Sequence, residues 1–87
     1  MIVPAIHLNG TSKDALTDQL SEAGSAVQSA IAAVNAAAPN GRDYYPQGPQ
    51  AIGQAIKEHN ARITRLTDLY DELVALYEAI EGGGHRI

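Results

Sequence analysis

The sequence contains no cysteine, tryptophan or phenylalanine, and four tyrosines are its only large aromatic residues. Without cysteine the chain can form neither a disulfide scaffold nor a thiolate metal site, and it is compatible with a reducing compartment. Alanine, leucine, isoleucine and valine must therefore do most of the packing. A domain of 87 residues built in this way buries little of its surface, so we expect a homo-oligomer to complete the core.

Long apolar runs and an excess of positive charge are also missing. No segment approaches the roughly 20 apolar residues that cross a bilayer, and residues 1–10 lack the basic segment of a signal peptide. The net charge of −4 argues against general nucleic-acid binding through a wide basic surface. We therefore expect a cytoplasmic protein that binds neither membranes nor nucleic acids in general.

A heptad pattern predicts a first helix over residues 12–38. Thr11 is the expected N-cap, and Asp14 would complete a capping box with it. Apolar residues then recur at alternating spacings of four and three until Pro39 ends the pattern. This seam consists of Leu16, Leu20, Ala23, Val27, Ala30, Val34 and Ala37.

A second heptad pattern predicts a longer helix over residues 49–81. Pro49 suits its first turn, where the missing N–H has no hydrogen-bond partner to lose. A run of glycines ends the pattern, and we expect residues 82–87 to form a flexible tail. The second seam consists of Ile52, Ile56, His59, Ile63, Leu66, Tyr70, Leu73, Tyr77 and Ile80.

Residues 39–48 form a polar turn that can fold the two helices back on each other. We therefore expect one all-α domain over residues 1–87: an antiparallel two-helix hairpin with an extended N-terminal arm at residues 1–10. Counting outward from the turn places Ala30 near His59 and Leu16 near Leu73, so Tyr77 and Ile80 extend past the start of the first helix. They would then need an apolar partner, either from the arm or from a second chain.

Charge is polarised along this hairpin. All carboxylates except Asp43 and Glu58 belong to the open-end half, residues 1–26 and 66–87, whereas most of the cationic side chains belong to the turn half. The polarity has two explanations: acidic residues favour helix starts, or the turn holds an anion site.

The turn itself carries residues that chain reversal does not require. Arg42 can bind a phosphate or carboxylate with two parallel hydrogen bonds, and Tyr44 and Tyr45 offer flat rings and hydroxyl groups. In the alternative interpretation, one tyrosine caps the hairpin core while Arg42 and Asp43 neutralise each other. We take all four as candidate ligand-binding residues.

Two further groups are candidates for the same site. His59 occupies a seam position where leucine or isoleucine would be usual, so it is either a core histidine or part of a polar pocket with Arg62, which follows one turn later. His7 and Asn9 form a second polar cluster at the open end. A pocket shared between protomers would bring that cluster to the turn of another chain.

No motif of a catalytic site is present. The sequence has no nucleophile elbow, no phosphate-binding P-loop and no zinc-protease helix, and no spacing brings its histidines together with a carboxylate. We therefore expect neither an enzyme nor a bound metal or cofactor.

Two motifs carry a resemblance. With "IHLNGTS" near its start and "NGRDYYPQG" between its helices, the chain resembles a family of short phage-encoded proteins. In size and architecture it is also similar to small helical phage proteins that act as sponges for the cyclic or ADP-ribose-derived nucleotides of bacterial immune signalling. Those are compact homo-oligomers with pockets between protomers, so the resemblance implies an anti-defence protein in the cytoplasm of an infected bacterium.

Two hypotheses from different classes follow. The first is a non-catalytic sponge that holds a phosphorylated nucleotide through the candidate residues. The second is a structural or interaction protein, either a minor virion component or an oligomeric adaptor, whose turn contacts another protein.

Overall fold

A computed structural model of the protein describes residues 1–83, and every regular element in that range is helical. Helix α1 spans Lys13–Ala36, the short helix α2 spans Gly41–Tyr44, and helix α3 spans Ala51–Gly83. A single 3₁₀ turn, Tyr45–Gln47, follows α2 directly. The predicted all-α class is therefore confirmed.

Helix α1 begins one residue later than predicted because Ser12, and not Thr11, is its N-cap. The Ser12 hydroxyl accepts a hydrogen bond from the backbone N–H of Ala15 at 3.1 Å. Asp14 thus lies inside the first turn and forms no capping box with Thr11, so that prediction is wrong. Threonine and serine are both favoured N-cap residues, so the sequence pattern allows either of two adjacent ones, and the backbone geometry decides between them.

The connection between the long helices is more ordered than the predicted polar turn. Asn40 caps α2, with its side-chain oxygen accepting from the Arg42 backbone N–H at 2.9 Å. Gly48 then takes a positive φ of 105°, which reverses the chain before α3. Pro49 belongs to this reversal, so the predicted start of the second helix at residue 49 is two residues early.

Helices α1 and α3 pack against each other along their length. Leu20 and Gln28 of α1 border the same groove as Tyr70 and Tyr77 of α3, so the middle of α1 lies beside the C-terminal half of α3. This placement agrees with the predicted hairpin. The molecule is elongated, with extents of 61 × 20 × 18 Å.

The core between the helices is thin. Its buried side chains are Ala55, Ile80, Thr17 and His59, and no large side chain is completely buried among the described residues. Ile80 is only 4 % exposed, so of its two expected partners, the arm or a second chain, a second chain is not needed to bury it. Thr17 is accommodated because its hydroxyl donates to the backbone carbonyls of Lys13 and Asp14 at 3.0 and 3.1 Å.

The C-terminal end of α3 also departs from the prediction. Gly82 and Gly83 belong to the helix, whereas the sequence pattern assigned both to a flexible tail. The rest of that predicted tail, residues 84–87, lies outside the described residues. Within residues 1–83 no helix is both long enough and apolar enough to span a bilayer.

Candidate functional site

A groove lies where the connection between the helices meets the start of α3. Helix α2 and the 3₁₀ turn both contact α3, and this contact brings Tyr44 and Gln47 over one face of the long helix. The α3 residues on that face recur every three or four positions, as residues on one side of a helix do. This turn groove has a volume of about 280 Å³ and is lined by Tyr44, Gln47, Ala51, Gln54, Ala55, Glu58 and Arg62.

Polar side chains along the groove form a ladder on α3. The Gln54 amide nitrogen Nε2 donates to Glu58 Oε2 at 3.1 Å, and Arg62 Nη2 lies 3.9 Å from Glu58 Oε1. The Arg62 and Glu58 side chains are each 54 % exposed. Because an exposed ion pair of this kind stabilises a protein by at most about 1 kcal/mol, a ligand can replace Glu58 at the guanidinium with little loss.

Two of the sequence-predicted site residues, Tyr44 and Arg62, meet in this groove. Tyr44 is half-buried and presents an aromatic surface, whereas Arg62 supplies a cationic fork for an anion. The groove thus combines a ring, a guanidinium and two glutamine amides. Such a set can hold a ligand by stacking and hydrogen bonding, but it contains no arrangement of nucleophile and base.

Arg42, Asp43 and Tyr45 lie outside the turn groove, although they are sequence neighbours of Tyr44. The Arg42 guanidinium Nε donates to Asn40 Oδ1 at 3.2 Å, so the side chain is drawn back toward the start of α2. Within residues 1–83 the Arg62–Glu58 contact is the only ion pair within 4.0 Å, so Arg42 and Asp43 do not neutralise each other as the alternative interpretation required. Tyr45 is 81 % exposed.

His59 is buried within the helix pair and does not line the turn groove. Its placement corresponds to the core histidine that the sequence left open as an alternative. The polar pocket beneath the turn is therefore formed by residues on a neighbouring strip of α3, not by the seam position of His59.

His7 and Asn9 remain apart from the turn groove. They belong to a tight turn in which the Gly10 N–H donates to the His7 carbonyl at 3.1 Å, and both side chains are exposed. A Cβ at Gly10 would lie 2.8 Å from His7 Nε2, the far end of an exposed side chain that can rotate away. One chain alone thus does not bring the predicted second cluster to the turn.

Three polar groove residues escaped the sequence prediction: Gln47, Gln54 and Glu58. The signal was the four-residue spacing of Gln54, Glu58 and Arg62, which places them on one helix face. That spacing is common on solvated helices, so it indicates a groove only once the structure shows Tyr44 over the same helix face.

Comparisons with protein-family models, with curated proteins and with solved structures gave no match. The geometry of the turn groove and its surroundings is therefore the basis for assigning a function. In the part of the chain that the structure describes, no three histidine or carboxylate side chains converge as a metal site would require.

Proposed function

We propose that this protein is a non-catalytic binding protein that takes up a phosphorylated nucleotide in the turn groove and so acts as a sponge. The observation that carries the proposal is the presence of Tyr44 and Arg62 in one groove. A base stacked on an aromatic ring contributes about 1–3 kcal/mol to binding, and a guanidinium binds phosphate through parallel hydrogen bonds. The phage origin, the anti-defence role and the host cytoplasm belong to the proposal through the sequence resemblance.

Neighbouring side chains extend the polar surface available to such a ligand. A broader depression of about 610 Å³ adjoins the turn groove and shares Gln47 and Gln54 with it. Lys57 lines this second depression and supplies another cation. The glutamine amides can both donate to and accept from the edge of a base or a ribose hydroxyl.

The exposure of the groove supports a site that a second protomer completes. Pockets for small ligands usually cover most of the ligand, whereas the turn groove, with a volume of about 280 Å³, is open to solvent. In the proposed homo-oligomer another chain would close it. Arg42, Asp43 and Tyr45, which are exposed on the same short connection, are then available to that interface.

The direct test is a thermal-shift screen against cyclic dinucleotides, cyclic trinucleotides and ADP-ribose derivatives, followed by titration calorimetry on any nucleotide that raises the melting temperature. A ligand present at 100 times its Kd stabilises the folded state by about 2.7 kcal/mol. If no nucleotide raises the melting temperature at millimolar concentration, the proposal fails.

Adjacent tyrosines provide a matched pair of variants for that titration. Tyr44→Ala removes the ring that lines the groove, whereas Tyr45→Ala removes an equally large ring that lies outside it. We expect Tyr44→Ala to weaken nucleotide binding by at least tenfold, in line with the loss of one stacking contact. Equal effects of the two variants would contradict the turn groove as the binding site.

Two arginines on α3 provide a second matched pair of variants for the titration. Arg62→Gln removes the groove guanidinium, and Arg65→Gln makes the same change in net charge at an exposed position outside the groove. Only Arg62→Gln should weaken binding of a phosphorylated ligand. A similar loss in both variants would indicate a nonspecific effect of net charge.

A structural or interaction protein is the second candidate, and the exposed N-terminal segment favours it. Met1, Ile2, Val3, Ile6 and Leu8 are all exposed on this one segment, and exposed apolar side chains grouped in this way mark an interaction surface. A negative nucleotide screen together with a stable oligomer would support this candidate over the sponge.

A further inference from the structure

A second groove, midway along the helix pair, is left open by the packing of α1 on α3. We call it the middle groove. It has a volume of about 210 Å³ and is lined by Leu20, Ser21, Gly24, Ser25, Gln28, Tyr70, Leu73, Val74 and Tyr77. It shares no residue with the turn groove, so the proposed nucleotide site does not account for it.

The middle groove exists because small residues of α1 face large residues of α3. Gly24 and its serine neighbours leave space beside the rings of Tyr70 and Tyr77. Leu20, Leu73 and Val74 make part of its surface apolar, and the hydroxyl groups provide hydrogen-bonding atoms. An apolar cavity of roughly 150 Å³ accepts a benzene molecule, so this groove has room for one or two aliphatic side chains.

Residues 1–8 of the arm offer side chains of that kind. Met1, Ile2, Val3, Ile6 and Leu8 are all exposed in the single chain. Burying an aliphatic side chain of this size contributes about 1.5–3 kcal/mol. The protein therefore carries an uncovered apolar segment and an unfilled, partly apolar groove in the same molecule.

The distribution of charge also favours binding of the arm in the middle groove. Residues 1–13 contain His7 and Lys13 but no carboxylate. The residues next to the groove lining in sequence include Glu22, Asp71 and Glu78, and all three are exposed. A segment without negative charge meets no electrostatic repulsion there, whereas a carboxylate-bearing peptide would.

We propose that the arm of one protomer docks in the middle groove of a second copy of this chain, and that the exchange is reciprocal. Each protomer then contributes both an arm and a groove, as a two-fold symmetric interface requires. Eight arm residues and nine groove residues per protomer approach the roughly 20–30 residues a side of a stable interface. The exchange also covers the apolar side chains that one chain leaves exposed.

The absence of native cysteine allows a direct test by disulfide formation. Ile6→Cys places a thiol in the arm, and Ser25→Cys places one in the middle groove. Purified single variants are mixed and oxidised mildly, and intact-mass spectrometry measures the disulfide-linked heterodimer. Ser29→Cys is the matched control, because Ser29 is exposed on α1 but does not line the groove.

We expect the Ile6→Cys and Ser25→Cys mixture to yield at least five times more heterodimer than the mixture with Ser29→Cys. Equal yields would overturn the proposal. The double variant Ile6→Cys/Ser25→Cys separates exchange from folding back within one chain: a linked dimer supports exchange, and a linked monomer overturns it.

Self-association provides an independent measurement. Ser25→Phe fills the middle groove and should weaken dimerisation at least tenfold in sedimentation equilibrium, whereas Ser29→Phe should leave it unchanged. Both serines are exposed, so neither change disturbs the core. A wild-type protein that stays monomeric at a concentration of about 100 μM would overturn the proposal.

Discussion

The ring of Tyr70 lies against Gly24, where a Cβ placed on the glycine would be 3.6 Å from Tyr70 Cε1. This is an ordinary van der Waals distance, so the glycine is not required by close contact. Side chains on a helix lean toward its N-terminus, so the ring of Tyr70 extends toward the level of Leu66. The register that places Leu16 near Leu73 also places Ala23, the neighbour of Gly24, near Leu66. The contact therefore agrees with that register.

Gly24→Ala should stabilise the protein by about 0.5–1 kcal/mol, because alanine is favoured over glycine by that amount in a helix interior. The added methyl group meets Tyr70 without displacing it. Chemical denaturation measures the change. Gly53→Ala, in a part of α3 where a Cβ meets nothing within 4 Å, gives the propensity effect alone, and a destabilised Gly24→Ala beside a stabilised Gly53→Ala would contradict the Gly24–Tyr70 contact.

Gly48→Ala should destabilise the protein by about 1–3 kcal/mol, because the backbone at φ 105° and ψ 163° is accessible almost only to glycine. The same residue ends the 3₁₀ turn and sets the direction in which α3 begins. Gly41→Ala is the control, since Gly41 has a negative φ and open space around it. Similar denaturation midpoints for the two variants would argue against the strained turn.

His59→Leu should raise the free energy of unfolding by about 1 kcal/mol, since a buried polar ring is replaced by an apolar side chain. Its effect on nucleotide binding should stay within twofold, because His59 does not line the turn groove. Denaturation and calorimetry on the same variant measure both effects. A large loss of nucleotide binding with an unchanged free energy of unfolding would indicate that His59 belongs to the binding site.

Glu58→Gln should strengthen binding of a phosphorylated nucleotide severalfold, a prediction that depends on the proposed function. In the free protein the Glu58 carboxylate lies beside Arg62, where a ligand phosphate would compete with it. The control is Glu72→Gln, which makes the same change in net charge at an exposed position outside the groove. Weaker binding in Glu58→Gln would mean that the carboxylate contacts the ligand itself.

The candidate site was only partly predictable from the sequence. Tyr44 and Arg62 were both selected, yet the sequence could not separate Tyr44 from Tyr45, because adjacent residues differ only in the helix face that they occupy. The sequence gives no reason to select Glu58, since the proximity of a carboxylate to an arginine one turn away is common on exposed helices. The sequence leaves His59 either in the core or in a polar pocket, because it does not show how far α1 covers the seam of α3.

The sequence by itself determined the helical class and the bounds of the two long helices to within about two residues, because heptad spacing, caps and glycines act over one or two turns of chain. The tertiary structure decided which residues of the connection face α3, that Ile80 is covered within one chain, and that two separate grooves remain open. Those outcomes depend on the rotation and axial position of one helix against another. Packing between side chains that are distant in sequence sets both quantities, and a short-range sequence pattern does not predict them.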